Sequence, residues 1–171
     1  MIIGNAYSEE NTPLKVKQNE RLPGFTLVEV MVVVVVVGLL ATMAIAAFNK
    51  NRRITQNTTF VNDLRVLVEA AEQFMLETGL PLESADARQG EIPTGFDVYI
   101  SGAKWFGETP IGGTWETEYN SAGVTSAIGV HRPSASGTQL QEIDDDFDDG
   151  DLATGQIRRL SGNHIFYILV E

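Results

Sequence analysis

The chain has 171 residues, no cysteine and a formal net charge of −11. Without cysteine there is no disulfide framework, thiolate zinc site or thiol nucleophile. The acidic balance speaks against binding a nucleic-acid backbone or an anionic lipid surface, both of which need clustered Lys/Arg, and the length suits one modest domain plus a tail.

The first 24 residues are neutral, with Lys15, Lys17 and Arg21 balancing Glu9, Glu10 and Glu20, so everything after Gly24 carries the full negative charge. From Phe25 to Phe48 the chain has no Pro, Lys or Arg, and Glu29 is its only charge. As a helix this segment spans roughly 36 Å at 1.5 Å per residue, enough to cross a hydrocarbon core of about 30 Å. It is longer than the apolar core of a secretory signal, and Lys50, Arg52 and Arg53 follow it. Basic residues flank both ends, so the positive-inside rule does not orient it. The run Val32 to Val37 is β-branched and ranks low in helix propensity. In lipid that objection weakens, because a single spanning segment must close its hydrogen bonds as a helix. A carboxylate inside a span costs several kcal/mol unless compensated, so Glu29 is either an acid near the end of the span that reaches water or a functional candidate that meets a cation.

The stretch "GFTLVEVMVV", Gly24 to Val33, resembles the prepilin signature of type IV pilins and type II secretion pseudopilins. The resemblance covers about residues 21–55 well; beyond them the chain is similar only in layout. It implies cleavage after Gly24 by a membrane-embedded prepilin peptidase/N-methyltransferase on the cytoplasmic side, followed by N-methylation of Phe25. It places Glu29 at the fifth mature position, where the family's Glu is thought to pair with the N-terminal amine of a neighbouring subunit. A free α-amine is cationic near neutrality. Two opposite charges buried together relieve each other's desolvation, and either alone would be strongly unfavourable. The pair would thus act as a register check on assembly. The resemblance also implies an inner-membrane, single-pass precursor with its head in the periplasm, later moved into a filament. Two features depart from the common pattern: Pro23 precedes the junction, and Ala46 stands where many members carry the Pro that helps the helix unwind.

Past the membrane segment, Val61, Leu64, Val68, Ala71 and Met75 recur at three- and four-residue steps, an amphipathic stripe expected to pack on a head domain. Asp63, Arg65, Glu69 and Glu72 lie largely off it. "ETGLP" ends the helix, with Gly79 as left-handed cap and Pro81 blocking continuation. "PTGFDVYIS" reads as a short helix with Phe96, Tyr99 and Ile100 on one face, and "ETPIGG" as a turn. "GTWETEYN" alternates, Trp115, Thr117 and Tyr119 against Thr114, Glu116 and Glu118. "VTSAIGV" alternates again through Val124, Ser126, Ile128 and Val130. Joined by "NSAG", the two read as an antiparallel hairpin. "QIRRL" and "HIFYILVE" predict a second hairpin across "SGN". Its last strand is apolar on both faces, Phe166, Ile168 and Val170 against Ile165, Tyr167 and Leu169, and is therefore interior.

The acidic run "EIDDDFDDGD", Glu142 to Asp151, raises the question of calcium, which takes six to eight oxygens. Some pseudopilins bind calcium in a loop near the C-terminus. If Gly150 is the loop glycine of an EF-hand, Phe147 falls on a ligand position and Gln156 where the bidentate Glu belongs, which excludes that motif. Leu140, Ile143 and Phe147 instead predict a short amphipathic helix with a solvated acidic face, Ser136 or Thr138 capping its start and Gly150 its end. The Asp residues near its C-terminus oppose the helix dipole, so Asp144, Asp146, Asp148, Asp149 and Asp151 remain the candidates for a calcium site. His131 and His164 are the only histidines. They lie in or beside predicted strands, with no nucleophile motif, phosphate loop or metal-spaced His/Glu cluster around them, and are expected at the surface or rim.

The fold expected is α+β: a long N-terminal helix, transmembrane then amphipathic, packed on a small antiparallel sheet, like a type IV pilin. Its organisation is a leader over 1–24, a membrane and assembly helix over 25–48, an amphipathic continuation over 49–79 and a globular head over 80–171. The function expected is that of a structural, non-enzymatic subunit of a type II secretion pseudopilus or type IV pilus. Its partners would be the prepilin peptidase/N-methyltransferase, copies of itself, related pilin-like subunits and the inner membrane, with no nucleic acid and no obligatory cofactor. The alternative is a single-pass, membrane-anchored extracytoplasmic binding protein that does not polymerise.

Overall fold

A computed structural model describes residues 24–160 and 162–171; the leader expected over 1–24 falls outside the described residues except for Gly24. Helix α1 (Leu27–Thr78) is followed by strand β1 (Ala85–Asp86), a one-turn helix α2 (Gly102–Trp105), strands β2 (Thr114–Ser121) and β3 (Val124–His131), helix α3 (Gly137–Phe147), and strands β4 (Ile157–Arg158) and β5 (His164–Val170). The five strands form one antiparallel sheet in the order β1-β2-β3-β5-β4. Two compact units emerge, the N-terminal segment up to Met43 and residues Ala44–Glu171.

In the first unit every large apolar side chain from Phe25 to Leu40 is exposed. Helix α1 is long and apolar enough to cross a membrane. Water does not tolerate such a surface; lipid or other helices must cover it.

In the second unit α1 lies on one face of the sheet. The predicted stripe is buried at Val61, Leu64, Val68 and Ala71, and Asn57, Phe60, Leu67, Ala70 and Phe74 widen it. Phe60 stacks on Trp115 of β2, rings 5.7 Å apart and 11° from parallel. Ile128 and Val130 of β3 and Ile165 of β5 complete this inner layer. The helix stops where expected: Thr78 is its last residue, Gly79 takes φ +71°, and the Gly79 N–H donates to the Met75 carbonyl at 2.9 Å. "PTGFDVYIS" forms a single 3-10 turn over Phe96–Val98. Phe96 is buried edge-on against Phe74 and Trp105, and the Trp105 indole N–H donates to the Glu91 carbonyl at 2.7 Å. The buried Gln139 amide donates to Asn57 Oδ1 at 2.8 Å, tying α3 to α1.

The hairpin of β2 and β3 turns through Ala122 and Gly123, both at positive φ (51° and 87°), as a two-residue turn matched to strand twist requires. Strand β5 pairs on both edges and is interior, as its two apolar faces predict. Three expectations need correction. The alternation Val124, Ser126, Ile128, Val130 does not hold on one face. The register shifts at Ser126/Ala127, so Val124 joins Ala127, Phe166 and Ile168 in a smaller cluster on the outer face, while Ile128 and Val130 point to α1. In α3, Leu140 and Ile143 are fully buried, but Phe147 is 38% exposed. It sits at the helix end with the Arg65 guanidinium 5.7 Å from its ring centre. Gly150 does not cap α3, which ends at Phe147; the Asp148 N–H closes the last turn on the Asp144 carbonyl at 2.8 Å.

Candidate functional site

The start of α1 is built by Thr26 and Glu29. The Thr26 N–H and the Thr26 hydroxyl both donate to Glu29 Oε2, each at 2.8 Å. The Glu29 N–H donates to Thr26 Oγ1 at 3.2 Å. This is a reciprocal capping box: two otherwise orphaned amide donors of the first turn are satisfied by the two side chains. The carboxylate also lies at the positive end of the helix dipole. The pattern Thr-x-x-Glu before an apolar run announces this arrangement in the sequence. Glu29 therefore has a role within its own chain that the span-and-charge reading did not include. Both bonds use Oε2, and among the described residues no donor reaches Oε1. Gly24 and Phe25 precede the helix in non-helical backbone, with Phe25 87% exposed. The Gly24–Phe25 bond thus lies outside the helix, next to its cap.

The acidic run divides between α3 and the loop after it. Asp144, Asp148 and Asp149 bring carboxylate oxygens within 4.8 Å of one another, while Asp146 and Asp151 do not join this group. Asp148 Oδ2 accepts from the Gln156 N–H at 2.5 Å and the Ile157 N–H at 2.7 Å. Asp149 accepts from the Asp151 N–H at 3.0 Å and from the Thr154 hydroxyl at 2.7 Å, which holds its carboxyl below the usual range. Asp151 Oδ1 accepts from the Ala153 N–H at 3.0 Å. These carboxylates thus staple the loop that leads into β4. Asp144 differs: it is fully buried and neither of its oxygens has a partner among the described residues. Burial, with the charges of Asp148, Asp149, Asp145 and Asp151 adding to it, pushes its carboxyl up to about 6. The two oxygens of Asp144 and Asp148 Oδ1, with the Asp149 carboxylate beside them, match the hard-oxygen chemistry of calcium, with backbone or water completing the shell.

The histidines are half-buried at the edge of an open cleft, not isolated from each other. Both lie against Glu116, His131 with 13% and His164 with 20% of its side chain exposed. Their positions in the chain, 15 and 48 residues from Glu116, carry no motif, and only the sheet register brings the three together.

Comparison with known proteins bears on the first of these features. Residues 23–45 match the family model of the prokaryotic N-terminal methylation motif, which takes in Gly24, Phe25 and Glu29. Two curated relatives, each a "Fimbrial protein" of Pseudomonas aeruginosa, are 37% identical over 73 residues, which is 43% of this chain and 47% of the relative. The chain thus spans about half the length of the curated relatives it matches. None of the solved structures compared matches it.

Proposed function

We propose that this chain, which carries a prepilin-type methylation motif, is a pilin-type structural subunit. It is cut after Gly24, N-methylated at Phe25 and assembled through α1 into a type IV pilus or type II secretion pseudopilus. The observation that carries this reading is the coincidence of the motif with an apolar helix whose surface is exposed from Phe25 to Leu40. A membrane anchor alone needs the apolar surface but not the Gly-Phe junction with Glu at fixed spacing. The likeness to fimbrial proteins supports the same reading and leans it towards a pilus. The role is structural: helices from many subunits bury the apolar surface among themselves once they leave the lipid.

The capping box refines the register role of Glu29. Oε2 is occupied by Thr26 of the same chain, which offsets part of the cost of burying the carboxylate. Oε1 then faces the cation supplied by the Phe25 amine of a neighbouring copy. That amine exists only after cleavage, so an unprocessed subunit brings a carboxylate but no cation. Co-expression with a prepilin peptidase/N-methyltransferase should yield a chain that begins at methylated Phe25 by intact-mass analysis. An uncut chain under conditions that process a known prepilin would sink the reading and leave a non-polymerising membrane-anchored protein.

The acidic loop supports a second, separate proposal. Calcium binds at Asp144, Asp148 and Asp149, favoured by the unpaired, buried Asp144 carboxylate.

A further inference from the structure

The outer face of the sheet, opposite α1, holds chemistry that the filament reading does not use. The register sets His131 of β3 directly across from His164 of β5 and from Thr114 of β2. Glu116, two residues beyond Thr114, points to the same face. His131 Nδ1 lies 3.2 Å from Glu116 Oε2, and His164 Nδ1 lies 2.6 Å from Glu116 Oε1. The two imidazoles meet at 84° with centroids 4.4 Å apart, and His164 stacks on Phe166. The Glu116 side chain is 6% exposed. His131 Nε2 is buried without a partner among the described residues.

We propose that Glu116, His131 and His164 form a binding site for a divalent transition-metal ion of the zinc class. Two imidazoles and one carboxylate are the ligand set such ions take, whereas calcium and magnesium prefer oxygen throughout. The three ligand atoms lie within 4.8 Å of one another. At metal–ligand distances of about 2.0–2.1 Å, the edge of a tetrahedral shell is about 3.3 Å. His131 Nδ1 stands 3.2 Å from one Glu116 oxygen, Oε2, close to that length. His164 Nδ1 stands 2.6 Å from the other oxygen, Oε1, so a rotation of the carboxylate brings a single oxygen to about 3.3 Å from both nitrogens. All three ligands stand on paired strands, which hold a constellation better than loops do. A ring that gives Nδ1 to the metal keeps its proton on Nε2. At His131 the shift exchanges the Nδ1 contact with Glu116 Oε2 for the bond to the metal, and among the described residues no neighbour competes for Nε2. A cleft shared with Asp86, Arg88, Gln89 and Glu91 gives the ion and a completing water access from solvent. Bound there, the ion cross-braces β2, β3 and β5 in a head that has no disulfide.

The composition makes the test clean. The chain has two histidines and no cysteine, so any imidazole in the shell of a bound metal is one of these two. The full chain, free of any affinity tag and solubilised in detergent, is stripped with a chelator and titrated with zinc at constant pH. One tightly held equivalent, X-ray absorption showing imidazole nitrogen scattering, and a rise in the unfolding temperature are expected. Glu116→Gln keeps a hydrogen-bonding group beside both rings, and near-UV circular dichroism checks that it folds; zinc affinity should fall while the fold persists. No retained zinc, or an oxygen-only shell in the wild-type chain, would overturn the site. So would zinc retained by a His131→Asn/His164→Asn chain but lost on Asp144→Asn, which would place the ion in the acidic loop.

Discussion

Glu29 caps the helix that it was expected only to charge: its Oε2 accepts both the N–H and the hydroxyl of Thr26 at 2.8 Å. Helix capping and subunit register are separable because a Gln at this position keeps the capping box and loses the charge. Glu29→Gln should therefore be cleaved and inserted like the wild type yet assemble poorly, as judged by the yield of sheared filaments. Glu29→Ala should lose assembly and also the capping box that starts the helix. Wild-type filament yield from the Gln variant would assign Glu29 to capping alone.

Asp144 sets a pH dependence with a defined sign. Its folded carboxyl titrates at about 6, against about 3.9 for an unfolded Asp. Between those values the folded chain holds a proton that the unfolded chain has released. The stability contributed by this group therefore falls as pH rises from about 4 to about 6, and is level above that. Asp144→Asn should flatten this segment of a plot of unfolding temperature against pH and raise the unfolding temperature at pH 7.5 by a few degrees. Calcium at pH 7.5 should stabilise the wild-type chain and not Asp144→Asn. An equal response from both chains would remove Asp144 from any calcium site.

The stacked pair Phe60 and Trp115, both at most 2% exposed, joins α1 to β2. Truncation to Phe60→Ala should cost about 3–5 kcal/mol, read as a lower denaturation midpoint at unchanged slope. Leu76, equally apolar but 85% exposed, should accept Ala within about 0.5 kcal/mol.

At Gly129 the pairing of β3 with β5 leaves no room for a side chain. A Cβ there would run into the Ile165 carbonyl and the Phe166 side chain, both on the neighbouring strand. Gly129→Ala should thus destabilise the head by more than 1 kcal/mol, seen as loss of amide-exchange protection in β5. A chain protected as well as the wild type would show that the sheet can spread at this point.

Local pattern was enough for the elements whose signal is periodic and whose environment is uniform. Leu27–Thr78 reads as one helix because apolar residues run on, broken only by Glu29, and then recur at helical steps, and because Gly79 and Pro81 punctuate the end. The strands of the head are legible for the same reason, since alternation across a pleat needs only one buried face. Where a residue's setting depended on something distant, the local pattern misled. Phe147 belongs to the apolar stripe of α3 by spacing, yet the helix stops beneath it and leaves it beside Arg65. Val124 changes faces because one bulge shifts the register after it.

The N-terminal methylation motif, a helix long and apolar enough to span a membrane and the unusual cost of Glu29 are legible in the chain, because each rests on neighbours within one or two turns. The settings of the acids and histidines of the head come from the folded arrangement. A carboxylate's chemistry follows from its burial and its partners. Asp144 has a setting unlike the four acids around it because α3 turns it inward. Glu116 meets His131 and His164 because three strands, distant in the chain, pair in one register.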